Sequence, residues 1–91
     1  MDDTVLLKIL KSDLQMLTDA NDDYLNHLIN AAKEFIEREG IQLEDTTECS
    51  MIIVHYAAYL FRRRAGNDTI MPRYLRYELN NLLFAQKGKV E

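Results

Sequence analysis

Cys49-Ser50-Met51-Ile52-Ile53-Val54-His55-Tyr56-Ala57-Ala58-Tyr59-Leu60-Phe61 is a run of 13 residues with only two polar members, Ser50 and His55. Advanced 100° per residue, it places Cys49, Ile53, Tyr56 and Leu60 on one side, with Ile52, Val54, Ala57 and Phe61 flanking them. The least apolar stripe is Met51, His55, Ala58 and Arg62. A helix that is apolar around most of its girth must be covered around most of its girth. The run is shorter than the roughly 20 residues that cross a bilayer, and Arg62-Arg63-Arg64 ends it abruptly. It therefore reads as the central helix of a small bundle, or as a helix covered by another subunit. Asp45 and Glu48 have capping-box spacing at its start, and the pattern runs to about Ala65, with Gly66 as its stop.

The segments on either side are also helical. Asn21-Asp22-Asp23 supplies a cap and puts acids in a first turn, where they suit the helix dipole. Leu25, Leu28, Ile29, Ala32, Phe35 and Ile36 then share one face, opposite Asn26, Asn30, Lys33 and Glu37, until Gly40 provides a left-handed stop. Before this, Asp2 or Asp3 can cap a helix carrying Val5, Leu6, Ile9 and Leu10, while Leu14 and Leu17 can cover a core edge. After it, Pro72 is a favoured first helical residue. Leu75, Leu79, Leu82 and Leu83 form a core stripe behind it, and Tyr74, Tyr77, Asn81 and Phe84 form a second stripe on the opposite side. The expected fold is all-α: four main helices near 3–12, 22–39, 46–65 and 72–86, in one domain over 1–91, with 87–91 a loose polar tail.

Composition bounds the class. Ninety-one residues make one domain and not two, and 47% apolar with three glycines and one proline is neither collagen-like nor disordered. A single cysteine allows no internal disulfide and suits a reducing compartment. The acidic Met1-Asp2-Asp3-Thr4 start lacks the basic and apolar regions of a signal peptide. The net charge of −4 conceals a split. Residues 1–48 carry twelve acids against four bases, and residues 49–91 carry seven bases against three acids. Such a body can pack against copies of itself, or its solvated faces can simply differ.

Little in the sequence suggests catalysis. His27 and His55 lie on different helices, and Cys49 sits on the most apolar side of its own. There is no zinc-type spacing, no HExxH and no glycine-rich phosphate loop, and Glu34, Glu37 and Glu39 read as a solvated face. The expectation is a non-enzyme without cofactor or metal. Nucleic-acid binding has some raw material. Arg62, Arg63 and Arg64 close one helix, and Arg73 and Arg76 open the next beside Tyr74 and Tyr77, an arrangement compatible with a small helix-turn-helix DNA-binding regulator. Against that reading, the chain is acidic, and the outward face of the second helix carries aromatics instead of base-reading side chains. Protein binding fits better, because Tyr, Phe, Met and Arg are the residue types enriched at interface cores. The candidate interface is Arg62, Arg63, Arg64, Arg73, Tyr74, Arg76, Tyr77, Asn81 and Phe84. The aromatic stripe either folds over the edge of an ordinary core or needs a partner.

The segment from Asp22-Asp23-Tyr24-Leu25 through His27-Leu28-Ile29-Asn30-Ala31-Ala32 to Phe35-Ile36-Glu37 resembles the D-x-x-L-x-x-L-I-x-A-A-x-x-x-I-E pattern of the small phage head–tail connector proteins, also called adaptor or head-completion proteins. The apolar third helix with its aromatic and basic end, then Pro72 and Leu79-x-x-Leu82-Leu83, extend that resemblance in order over about residues 4–86. The family often has a glycine or aromatic soon after the final proline, whereas Pro72 here is followed by Arg73-Tyr74-Leu75-Arg76. The resemblance implies a structural protein of a tailed phage or prophage. That protein would bind the portal protein, form a ring of copies (a dodecamer) that extends the DNA channel, and receive a stopper or tail completion protein. It further implies residence at the head–tail junction of the virion after assembly in the bacterial cytoplasm. Any contact with DNA in the channel would be non-specific, and no membrane is involved.

Overall fold

The computed structural model describes residues 3–16, 18–64, 66 and 70–90, leaving aside the side chains of 88–90. Asp2 as a cap, Leu17 as a core-edge residue, Ala65 as a helix end and Glu91 in the tail lie outside the described residues. Among the described residues, four helices follow one another: α1 (Asp3–Asp13), α2 (Asp22–Arg38), α3 (Thr47–Arg64) and α4 (Arg73–Val90). The fold is all-α, a small four-helix bundle, as the apolar periodicities require.

α3 is the centre. Cys49, Ile52, Ile53, Val54, Tyr56, Ala57, Ala58 and Tyr59 are all buried, and α1, α2 and α4 each pack against it. Ala58 lies on the stripe expected to be least apolar, yet it is fully covered. Without a side chain beyond Cβ, it lets a neighbouring helix approach closely. From α1 come Leu6 and Leu10, and from α2 come Leu25, Leu28, Ile29, Ala32 and Ile36. Leu75, Leu79 and Leu82 enter from α4. Val5 is half exposed because Leu6 and Leu10 occupy the inward side of the short α1.

The helix ends refine several expectations. Thr46 stands just before α3, and its Oγ1 accepts the Cys49 N–H at 3.2 Å. Cys49 in turn offers Sγ to the Glu44 N–H at 3.4 Å, so the buried thiol closes the turn it starts. Asn21 occupies the N-cap position of α2, but its side chain makes no capping bond. Asp22 instead approaches Lys11, which is 2.9 Å from Asp22 Oδ1 and 2.7 Å from Asp19 Oδ1. Pro72 stands just before α4, its carbonyl accepting the Arg76 N–H at 3.2 Å. At the other end α4 continues through 87–90, where a polar tail was expected. Gln86 explains part of this: it exchanges two hydrogen bonds with the Gln42 backbone, at 2.8 and 2.6 Å, and anchors the late turns of α4.

α1 ends in a Schellman motif that lacks its usual glycine. The Met16 N–H bonds the Lys11 carbonyl at 2.9 Å and the Gln15 N–H bonds Ser12 at 3.1 Å. Gln15 therefore holds φ +58°, a left-handed conformation that costs a residue with a Cβ about 1–2 kcal/mol. Gln15→Gly relieves this and gives back part of it as unfolded-state entropy. The expected result is a gain of about 0.5–1 kcal/mol, read as a higher urea midpoint with an unchanged slope.

Candidate interaction surface

α4 has two faces of opposite character. Leu75 and Leu79 are 0% exposed, whereas Tyr74, Tyr77 and Phe84 are 48%, 65% and 66% exposed. Asn81 lies between the last two and is also exposed. On this helix the buried side chains are Leu75, Leu79 and Leu82, and the Tyr77–Phe84 row lies outside the core. Tyr74 differs from the rest of the row: its ring meets the edge of His55, 5.5 Å between centroids, and His55 Nδ1 lies 2.9 Å from Glu78 Oε1. That cluster of one α3 residue and two α4 residues fixes the rotation of α4 on α3.

The arginines divide into two groups. Arg62 approaches Asp13 at 3.5 Å, joining the ends of α3 and α1. Arg76 forms a two-pronged contact with Glu39 at 2.7 and 3.2 Å, tying α4 to the end of α2, and this raises the affinity of its guanidinium for its proton. The same guanidinium contacts Met71 Sδ at 3.4 Å. Arg64 stacks its guanidinium over Tyr24, 4.5 Å from the ring centre. Arg63 and Arg73 are exposed and, among the described residues, make no ion pair. Part of the acid/base split is thus used within the chain, since Asp13 and Glu39 of the acidic half meet Arg62 and Arg76 of the basic half. Surface pairs of this kind contribute about 0–1 kcal/mol each, so they orient helices more than they stabilise them.

A second surface was not singled out from the sequence. Between α2 and the end of α3 lies a groove of about 370 Å³, floored by Leu28, Ala31, Phe35 and Leu60 and edged by Arg63 and Arg64. Phe35, assigned to the core face by its spacing, is 38% exposed, because Ile36 takes the inward position beside it. Its ring stacks on Tyr56 at 5.9 Å, and Arg38 stands 5.6 Å above it. A further recess of about 280 Å³ adjoins at Tyr24 and Arg64, reaching Asn21 and Phe61. His27 is exposed on the groove's rim.

Tyr56 is the buried group with a perturbed acid. Burial pushes its phenol above the ordinary tyrosine range; Glu39 and Tyr59 add to the shift, and Arg76 and Arg63 oppose it. The fold therefore favours the neutral phenol. This contribution is complete below the unfolded tyrosine value and is lost as pH rises through the folded one. Wild type is expected to lose more stability than Tyr56→Phe as pH rises above about 9, measured as urea midpoints at each pH.

Among the described residues, no three His, Cys, Asp or Glu side chains converge as a metal site, and no helix is long and apolar enough to cross a membrane. Cys49 is buried. No family model, curated protein or solved structure matches this chain.

Proposed function

We propose that this chain is a non-enzymatic head–tail connector of a tailed phage or prophage, which binds the portal vertex and assembles there as a ring for stopper or tail attachment. The observation that carries the reading is the outward row of α4, with Tyr77 and Phe84 about two-thirds exposed on a helix whose other side is sealed. Aromatic rings that leave the core complete without them are the usual anchors of protein interfaces. The ordered resemblance of the helices to the connector family supplies the class of partner.

Charge has a narrower role in this proposal than the raw counts suggest. Acidic faces of α1 and α2 on one copy would meet the arginine region of the next, and since Arg62, Arg64 and Arg76 serve contacts inside the chain and Arg63 edges the groove, Arg73 carries that pairing. Changing Arg62, Arg63 and Arg64 together to Glu would disturb α1 and α2 as well as any interface. Arg73→Glu is the cleaner probe.

The direct experiment is co-expression with a tagged portal protein from the same gene cluster. The expected result is co-purification of the wild type at a fixed stoichiometry, weakened by Arg73→Glu, with no shift of duplex DNA at physiological salt. Absence of wild-type portal association would overturn the connector reading, and a salt-steep DNA shift of the kind phosphate-binding arginines produce would favour the regulator.

A further inference from the structure

We propose that the groove between α2 and the end of α3 is a docking site for an acidic amphipathic helix of a partner protein. It lies apart from the α4 row and does not depend on the connector reading. The groove has the two components of helix-in-groove recognition: an apolar floor and a charged rim. Leu28, Ala31, Phe35 and Leu60 form the floor, spaced along two helices so that a third can lie between them.

The charge of the rim selects the occupant. The chain as a whole carries fifteen acids against eleven bases. Yet among the described residues, the side chains lining the groove and its adjoining recess include Arg63, Arg64 and His27 and no carboxylate. Arg38 adds a further cation over the Phe35 ring. An apolar helix flanked by Asp and Glu would seat its anchors on the floor and its carboxylates against these arginines. The exposed apolar row of a second copy is a poor match, because Tyr77 and Phe84 on α4 have Arg73, Asn81 and Lys87 as neighbours on the exposed side of that helix. Cation would face cation, and like charges brought together oppose docking.

The test uses the intact chain and two labelled peptides of about four helical turns each. Both carry Leu and Phe at i, i+4, i+7 and i+11; one has Glu at the remaining flanking positions and the other has Lys. Fluorescence anisotropy reads binding, and amide chemical shifts locate it. The expected result is binding of the Glu peptide alone, with shifts along α2 and late α3. Ala31→Glu places a carboxylate on the floor and is expected to weaken binding about tenfold or more. Arg63→Glu, at an exposed position, is expected to do the same through the rim while leaving the urea midpoint near wild type. Tyr77→Ser is expected to leave peptide affinity unchanged. The proposal is overturned if the two peptides bind equally or neither binds, or if the shifts fall on α4. It is also overturned if Arg63→Glu retains full affinity, if oligo-dT displaces the peptide, or if the wild type is a dimer that Ala31→Glu dissolves.

Discussion

Ile53→Ala is expected to lower stability by about 3–4 kcal/mol, within the range measured for large-to-small changes at sealed core positions. Ile53 is 0% exposed on the helix that every other helix packs against. Removing its outer carbons loses their transfer free energy and leaves a cavity that a close-packed interior cannot easily close. A domain of this length holds about 5–15 kcal/mol in total, so the loss is a large share. Met51, one turn-edge away on α3 but 38% exposed, supplies the control. Met51→Ala is expected to cost less than about 1 kcal/mol. Urea midpoints at neutral pH measure both. Equal losses at the two positions would mean that α3 is not the covered centre of the bundle.

The second large effect concerns assembly instead of stability. Tyr77→Ser combined with Phe84→Ser removes two rings that are 65% and 66% exposed. Since little of their surface is buried in the fold, the urea midpoint is expected to stay within about 0.5–1 kcal/mol of wild type. In an interface the same rings would be anchors, each contributing about 2 kcal/mol or more. The expected loss of portal or self-association is therefore roughly a hundredfold, allowing for non-additivity. Leu79→Ala has the opposite signature, because Leu79 is fully buried on the inner side of the same helix. It is expected to cost stability first and assembly only as a consequence. That contrast separates an exposed docking row from a helix that is merely poorly packed.

The central helix was legible because thirteen consecutive residues with only Ser50 and His55 polar leave no side for water. The inner and outer rows of α4 were legible for the related reason that leucines and aromatics fall on opposite sides of a 100° turn. The sequence could not reveal which arginines are engaged. Arg62 meets Asp13 and Arg76 meets Glu39 across 49 and 37 positions, and such pairings depend on how helices dock. The groove was hidden for a different reason. Tyr24, Leu28, Ala31 and Phe35 repeat at i, i+4, i+7 and i+11 beside the main core face of α2, so they read as a widening of that face. Only the docking of α2 on α3 decides that Phe35 is exposed and Tyr24 and Ala31 are half-buried while Leu28 is buried beneath them. The tail shows the limit of composition: Gln86 is polar, yet its paired bonds to Gln42 hold late α4 against the α2–α3 connection.

The most direct measurement places a photo-crosslinking phenylalanine derivative at position 77 and irradiates assembled particles. The expected products are adducts joining this chain to the portal protein or to a second copy of itself. Particles that assemble and carry the protein yet yield no adduct from position 77, or yield adducts with DNA alone, would contradict the assignment of α4 as the assembly face.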